Sequence, residues 1–373
     1  MTFTVLLIAC ASTYILAALG ALLILLRKSG MSNPAPEATG ESETEPFLSV
    51  LVAARNEEDT LPRCLDALRN QDYPPNRIEF IVANDHSIDA TARIVLSVSR
   101  EDSRFHLIQV PDPVGSLRGK AHALHQAILQ ARSNILLTTD ADCAPPPGWA
   151  RAMAGRFSDP ALGMVCGITT VEHETILDRI QALDWLLLLA VASAASSAGF
   201  PLTAMGNNMA FRREAYLAVG GYPALPFSVT EDYALFQAIH RTSRWRVELV
   251  LDRALRNDTL PLASFREVFS QRKRWARGGL RASPWAYGLY LTVFLAHLFL
   301  LLGLFLQPVW AVPLLLAKCG ADLALIAVAK HRLGVRGLRF TFPLFEAYLF
   351  SYVIAMPFAI LIAPGTRWKE RTF

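Results

Sequence analysis

The chain has 373 residues, of which 53% are apolar and only 18% charged, with a formal net charge of +4 and a mean hydropathy of +0.30. That is too apolar for an ordinary soluble enzyme and too charged for a pure membrane bundle. The small basic excess lies beside apolar runs, which points to anionic lipid headgroups and away from nucleic acid. The five cysteines, Cys10, Cys64, Cys143, Cys166 and Cys319, show no paired spacing, so neither a zinc site nor a disulfide framework is indicated.

Residues 3–26, "FTVLLIACASTYILAALGALLILL", carry no charge and are long enough to cross a bilayer. The basic pair Arg27–Lys28 follows the run instead of preceding it, which predicts an uncleaved anchor over residues 1–28 with the next domain on the cytoplasmic side. Pro, Ser, Gly and Glu dominate up to Glu45, so residues 29–45 read as a flexible linker.

From 46 to 285 the pattern is α/β. Apolar, β-rich runs at 47–54, 78–85, 105–110 and 134–140 alternate with helical segments at 58–71, 87–100 and 119–132. Such alternation predicts a mostly parallel sheet with helices on both faces, and ligands then bind beyond the C-terminal strand ends. The polar residues collect there. Arg55, Asn56 and Glu57 follow the first strand, Asn84 and Asp85 the second, Asp140 and Asp142 the fourth.

A D-x-D pair alone is weak, and a solvated loop explains most of them. Beside two other polar strand ends, Asp140 and Asp142 suit a hard divalent cation, Mg²⁺ or Mn²⁺, shared with substrate phosphates. In "NDHSIDAT" (84–91) Ser87 or Asp89 is the expected helix cap, which leaves Asp85 at the strand tip to meet a base or ribose. "GSLRGKA" (115–121) fails as a P-loop, because three residues separate its glycines and Ala121 takes the hydroxyl position. A helix start carrying Arg118 and Lys120 attracts phosphate, and a plain solvated helix end fits equally. "SVTEDYALFQAIHR" (228–241) places Glu231 and Asp232 at a helix start, where they either pair with the helix dipole or serve a proton transfer.

The stretch 185–200 is too short to span and reads as a buried or interfacial helix. "SQRKRWARGG" (270–279) is a basic juxtamembrane cluster ending in a glycine break. In residues 286–373, two apolar runs (286–306 and 309–329) form a tight hairpin at Gln307–Pro308. A basic loop follows, and then a third run, 340–363, interrupted by Pro343, Glu346 and Pro357. If this last run spans fully, the basic tail lies outside against the charge rule; otherwise the run is re-entrant or kinked.

Taken in order, these segments resemble the membrane-bound family 2 glycosyltransferases with the GT-A fold. "VAARNEE" (52–58) is similar to the family's opening nucleotide-binding segment. "NDHSIDAT" is similar to its D-D-x-S-x-D-x-T element, with Asn84 in place of the first Asp. "TTDADC" matches D-x-D, "GNNMAFRREAYLAVGGY" (206–222) the acceptor-side segment, "TEDYAL" the T-E-D motif and "QRKRW" (271–275) the Q-x-x-R-W motif. The resemblance implies a Rossmann-like catalytic domain over 46–285 and an inverting transfer from a nucleotide-diphosphate sugar, a UDP-sugar foremost, to a membrane lipid. It assigns Ala54, Arg55, Asn56, Glu57, Asp85, Lys120 and Asp140 to the nucleotide sugar, and Asp140 and Asp142 to the metal. Asp232 becomes the general base, while Glu231, Gln271, Arg274 and Trp275 face the acceptor and diphosphate. The expected location is the bacterial cytoplasmic membrane, with catalysis on the cytoplasmic side. A processive polysaccharide synthase, a sugar nucleotidyltransferase and a membrane scaffold are the competing readings.

Overall fold

A computed structural model of the chain describes residues 1–28, 45–113, 115, 117–279, 284–362, 367–368 and 371–372. The expected linker lies outside the described residues except for Glu45. In chain order the first helices are α1 (Thr2–Lys28), α2 (Leu61–Arg69), α3 (Thr91–Glu101), α4 (Lys120–Gln130), α5 (Trp149–Arg156) and α6 (Ile176–Ser197). Then come α7 (Arg213–Ala218), α8 (Gly221–Ala224), α9 (Glu231–Arg241), α10 (Phe265–Gly279), α11 (Pro284–Leu306), α12 (Pro308–Leu333) and α13 (Phe342–Ile362). The strands are β1 (Leu48–Ala54), β2 (Ile78–Asn84), β3 (Phe105–Gln109), β4 (Ile135–Asp140), β5 (Leu162–Cys166), β6 (Thr169–Val171), β7 (Asn208–Arg212), β8 (Arg246–Leu249), β9 (Asn257–Thr259), β10 (Arg367–Trp368) and β11 (Arg371–Thr372). The chain divides into two compact units.

One unit, residues 33–170 and 203–260, is α/β. Its seven-stranded sheet runs in the order β3-β2-β1-β4-β7-β5-β8. β3, β2, β1 and β4 are mutually parallel, and β7 runs antiparallel between β4 and β5. Every residue of β2 is buried, as a parallel strand covered by helices requires. Leu61, Cys64, Leu65 and Leu68 are all buried, so α2 presents the face its apolar spacing predicted. The register sets Ala54 against Asn84 and Ala53 against Asp140, so the tips of β1, β2 and β4 end nearly level. The expected cap of α3 is corrected. Ala90 takes the N-cap position, and Asp89 instead accepts the Thr91 N–H at 3.0 Å and the Glu58 N–H at 3.0 Å.

The other unit, residues 1–32, 171–202 and 261–373, is helical. Among the described residues, five of its helices are long and apolar enough to cross a membrane. α6 is buried, as expected, with 72% of its apolar window covered against 17–33% for the other four. It begins nine residues before the apolar stretch. Thr175 caps it by accepting the Asp178 N–H, and Asp178 answers by accepting the Thr175 N–H at 2.8 Å. α11 and α12 form the expected hairpin, with Gln307 between them and Pro308 at the start of α12, where its missing N–H costs nothing. The third run forms one continuous helix, α13, through Pro357.

Candidate active site

The α/β unit gathers its carboxylates at the tip of β4. Asp140 is the last residue of that strand, Lys120 the first of α4, and Glu231 and Asp232 the first two of α9. The Lys120 ammonium lies 2.5 Å from Asp140 Oδ1 and 3.6 Å from Glu231 Oε1. Burial opposes its charge, but Asp140, Glu231 and Asp232 outweigh burial and hold the ammonium above the ordinary lysine range. Burial pushes the Glu231 and Asp232 carboxyls up, against the pull of Lys120. Burial, and then the charge of Asp140, likewise raise Asp142.

Asp232 is fixed by backbone donors. Its Oδ2 accepts the Gly206 N–H at 2.7 Å and its Oδ1 accepts the Tyr233 N–H at 2.8 Å. Gly206 is itself pinned from β4, since Thr138 donates its hydroxyl to the Gly206 carbonyl at 2.8 Å. Gly206 and Thr138 open the segments "GNNMAF" and "TTDADC", but nothing in the sequence gives either residue a role of its own. The one available signal was the glycine opening "GNNMAF", and its partner Asp232 lies 26 residues away. The neighbouring asparagines are also structural. Asn208 accepts the Trp149 indole N–H at 2.8 Å and donates to the Leu255 carbonyl at 2.8 Å.

The strand ends beyond β1 and β2 are laced together. Asn56 donates its N–H to Ser87 Oγ, Glu57 to Thr91 Oγ1 and Glu58 to Asp89 Oδ2. Asn56 has φ +52°, a left-handed conformation that asparagine tolerates, and its side-chain oxygen accepts the Ile88 N–H at 3.0 Å. Ala54 is buried, and its carbonyl accepts the Asp85 N–H at 2.9 Å. Arg55 donates to the Asp85 carbonyl at 2.9 Å, with its guanidinium 4.0 Å from the carboxylate. His86 Nδ1 lies 3.0 Å from that same carboxylate. Asp85 is therefore buried and already paired at its strand tip, and a base or ribose would have to share it. Asn84, where the family pattern has Asp, donates its amide to Gln109 at 2.7 Å.

Family profiles described as glycosyl transferase family 2 and glycosyl transferase family group 2 match residues 49–220 and 135–364. The second match covers well over half of the chain. The chain belongs to the family 2 glycosyltransferases.

Among curated relatives of this glycosyltransferase, the beta-monoglucosyldiacylglycerol synthase of Synechocystis sp. is 26% identical over 258 residues, 68% of this chain and 52% of its own length. The poly-beta-1,6-N-acetyl-D-glucosamine synthase of Staphylococcus aureus is 30% identical over 237 residues, 62% of this chain and 54% of its own. The chain thus spans about half the length of the curated relatives it matches. Among solved structures, the mannosyltransferase PcManGT of Pyrobaculum calidifontis, in complex with GDP-Man and Mn²⁺, shares the fold. Its TM-score is 0.60 at 22% identity, over 96% of this chain and 99% of that one.

Among the described residues no cluster of three or more His, Cys, Asp or Glu side chains is arranged to hold a metal. The glycosyltransferase does place four carboxylates, Asp140, Asp142, Glu231 and Asp232, in the field of one ammonium, Lys120. That excess of negative charge, with paired oxygen donors at Asp140 and Asp142, fits a divalent cation completed by substrate phosphates.

Gln271, Arg274 and Trp275 lie on α10 of the helical unit. Within that unit Gln271 accepts a hydrogen bond from Arg272 at 2.9 Å, and the Trp275 ring lies 4.3 Å beneath the Arg272 guanidinium. Arg272 is fully buried against Asp184 of α6 at 2.5 Å, and Trp275 meets Trp185 edge-on at 5.2 Å. The first variable position of the Q-x-x-R-W pattern, Arg272, therefore carries a buried ion pair that the sequence did not announce.

Proposed function

We propose that this glycosyltransferase moves one sugar from a nucleoside diphosphate sugar, a UDP-sugar foremost, to a hydroxyl of a membrane lipid, with inversion. The observation that carries the reading is the juncture of β4 and α9, where Asp140 and Glu231 flank the Lys120 ammonium and Asp232 adds its charge beside them. Asp140 and Asp142 hold the divalent cation, Mg²⁺ or Mn²⁺, which when bound neutralises charge on the departing diphosphate. Asp85 and residues 54–57 receive the base and ribose. Asp232, its two oxygens aimed by backbone donors, takes the proton from the acceptor hydroxyl as that oxygen bonds to the anomeric carbon and the diphosphate leaves from the opposite face. Residues 46–285 act as the catalytic domain on the cytoplasmic side of a bacterial inner membrane, between the anchor at 1–28 and the membrane region 286–373.

The similarity to a beta-monoglucosyldiacylglycerol synthase and the apolar helices support a lipid acceptor. The 30% identity to a polysaccharide synthase favours a processive reading instead. Membranes carrying the chain, given radiolabelled UDP-sugars, separate the two. A single labelled glycolipid is expected, and a ladder of polymers would overturn the lipid acceptor. Release of pyrophosphate in place of nucleoside diphosphate would establish a nucleotidyltransferase.

A further inference from the structure

Asp140, the carboxylate that the proposed function gives to the metal, already holds a cation of the protein's own. Lys120 Nζ is 2.5 Å from Asp140 Oδ1, and both side chains are largely covered, at 16% and 31% exposure. A divalent cation bound to Asp140 would stand beside this ammonium in surroundings that screen charge poorly, so the two repel and compete for one carboxylate. A nucleoside diphosphate resolves the competition. Its oxygens accept from the ammonium and ligate the cation at once, and it brings the negative charge that lets both cations stay.

The placement of Lys120 suits such an exchange. It is the first residue of α4, directly after Gly119 at φ +64°, and carries a flexible four-carbon stem with three donors. Glu231 Oε1, at 3.6 Å, keeps the ammonium partnered when Asp140 is given up. We propose that Lys120 is an exchangeable counter-ion: it occupies Asp140 until the donor arrives, then passes to the diphosphate. The metal thus enters as the metal–nucleotide complex and not ahead of it. The inference rests on the assignment of Asp140 to the metal in the proposed function.

The test is Mn²⁺ binding by the purified full chain in detergent, followed by loss of the free Mn²⁺ signal in electron paramagnetic resonance, with and without UDP. The wild type is expected to bind Mn²⁺ weakly alone and much more tightly with UDP. Lys120→Gln is expected to bind Mn²⁺ alone about ten-fold more tightly, equivalent to ~1.4 kcal/mol, with the UDP enhancement reduced. Lys120→Arg keeps the charge and the wild-type pattern, and Asp140→Asn loses Mn²⁺ in every case. Unchanged or weaker Mn²⁺ binding in Lys120→Gln overturns the proposal. So does a wild type that binds Mn²⁺ equally with and without UDP, a result that needs no variant to fold. Failure to transfer any sugar would overturn the proposed function, while the Mn²⁺ titration, which requires no turnover, would still report on Lys120.

Discussion

The Gly206 N–H donates to Asp232 Oδ2 at 2.7 Å, and a Cβ placed on Gly206 would lie 2.9 Å from that same oxygen. The absence of a side chain at one residue thus sets the position of the carboxylate at the other. Gly206→Ala must displace the Asp232 carboxylate or the backbone that holds it. A misplacement of about 1 Å at a reacting group costs roughly 10²-fold in rate. The expected result is a fall in kcat of that order with donor affinity retained, measured by turnover and by equilibrium binding of UDP. Unchanged kcat would show that Asp232 is not positioned through this contact.

Removing the base should be more severe than moving it. Asp232→Asn keeps the shape and an acceptor oxygen but cannot take a proton, so kcat is expected to fall ~10²–10⁴-fold while donor binding stays largely intact. Because burial pushes the Asp232 and Glu231 carboxyls up, kcat/KM of the wild type should rise with pH through a limb above the ordinary carboxylate range. A pH–rate profile flat above pH 5 would contradict this role.

A second buried carboxylate has the opposite shift and a structural task. Glu79 of β2 accepts from Ser49 Oγ at 2.5 Å, from the Arg132 N–H at 2.8 Å and from the Arg132 guanidinium at 2.7 Å. Burial raises its pKa, but these donors outweigh burial and hold the carboxyl below the ordinary glutamate range. A depressed folded value means stability that is present above the unfolded pKa and lost as pH falls through the folded one. Glu79→Gln should lower stability near neutral pH by ~2–3 kcal/mol, with the gap to wild type closing in acid. Hydrogen exchange of β1 and β2 amides across pH reads this directly, and a gap that widens in acid would refute it.

The helical unit buries another charge cluster. Lys318 of α12 pairs with Asp322 at 2.9 Å and with Glu346 of α13, while Tyr14 of α1 donates to Asp322 at 2.8 Å. Lys318 and Asp322 are fully buried. Lys318→Met leaves two carboxylates without their cation and should cost ~3–5 kcal/mol, seen as a lowered Tm in detergent. Lys318→Met combined with Asp322→Leu and Glu346→Leu should regain most of the loss. If the single variant melts like the wild type, the cluster does not join these helices.

The sequence by itself determined the kinds of element and where the chemistry gathers. Apolar runs of period two and 3.6, and the uncharged stretches at each end, follow from local rules, so β1 to β4, α1 and the α11–α12 hairpin were legible residue by residue. Ordered motifs also marked Asp85, Asp140, Asp142, Glu231 and Asp232. Only the tertiary structure decided which groups hold them. Gly206 against Asp232, Lys120 against Asp140 and Arg272 against Asp184 join residues separated by 26, 20 and 88 positions. A hydrogen bond or ion pair between distant segments leaves no periodic trace, because its partners are set by where the strands and helices pack, not by what lies next to them in the chain. The start of α6 was hidden in the sequence for a related reason. Its first turns carry polar residues that look exposed in sequence, yet all three are buried: Asp178 is spent on the capping box with Thr175, Gln181 donates to the Leu262 carbonyl, and Asp184 takes Arg272 of α10.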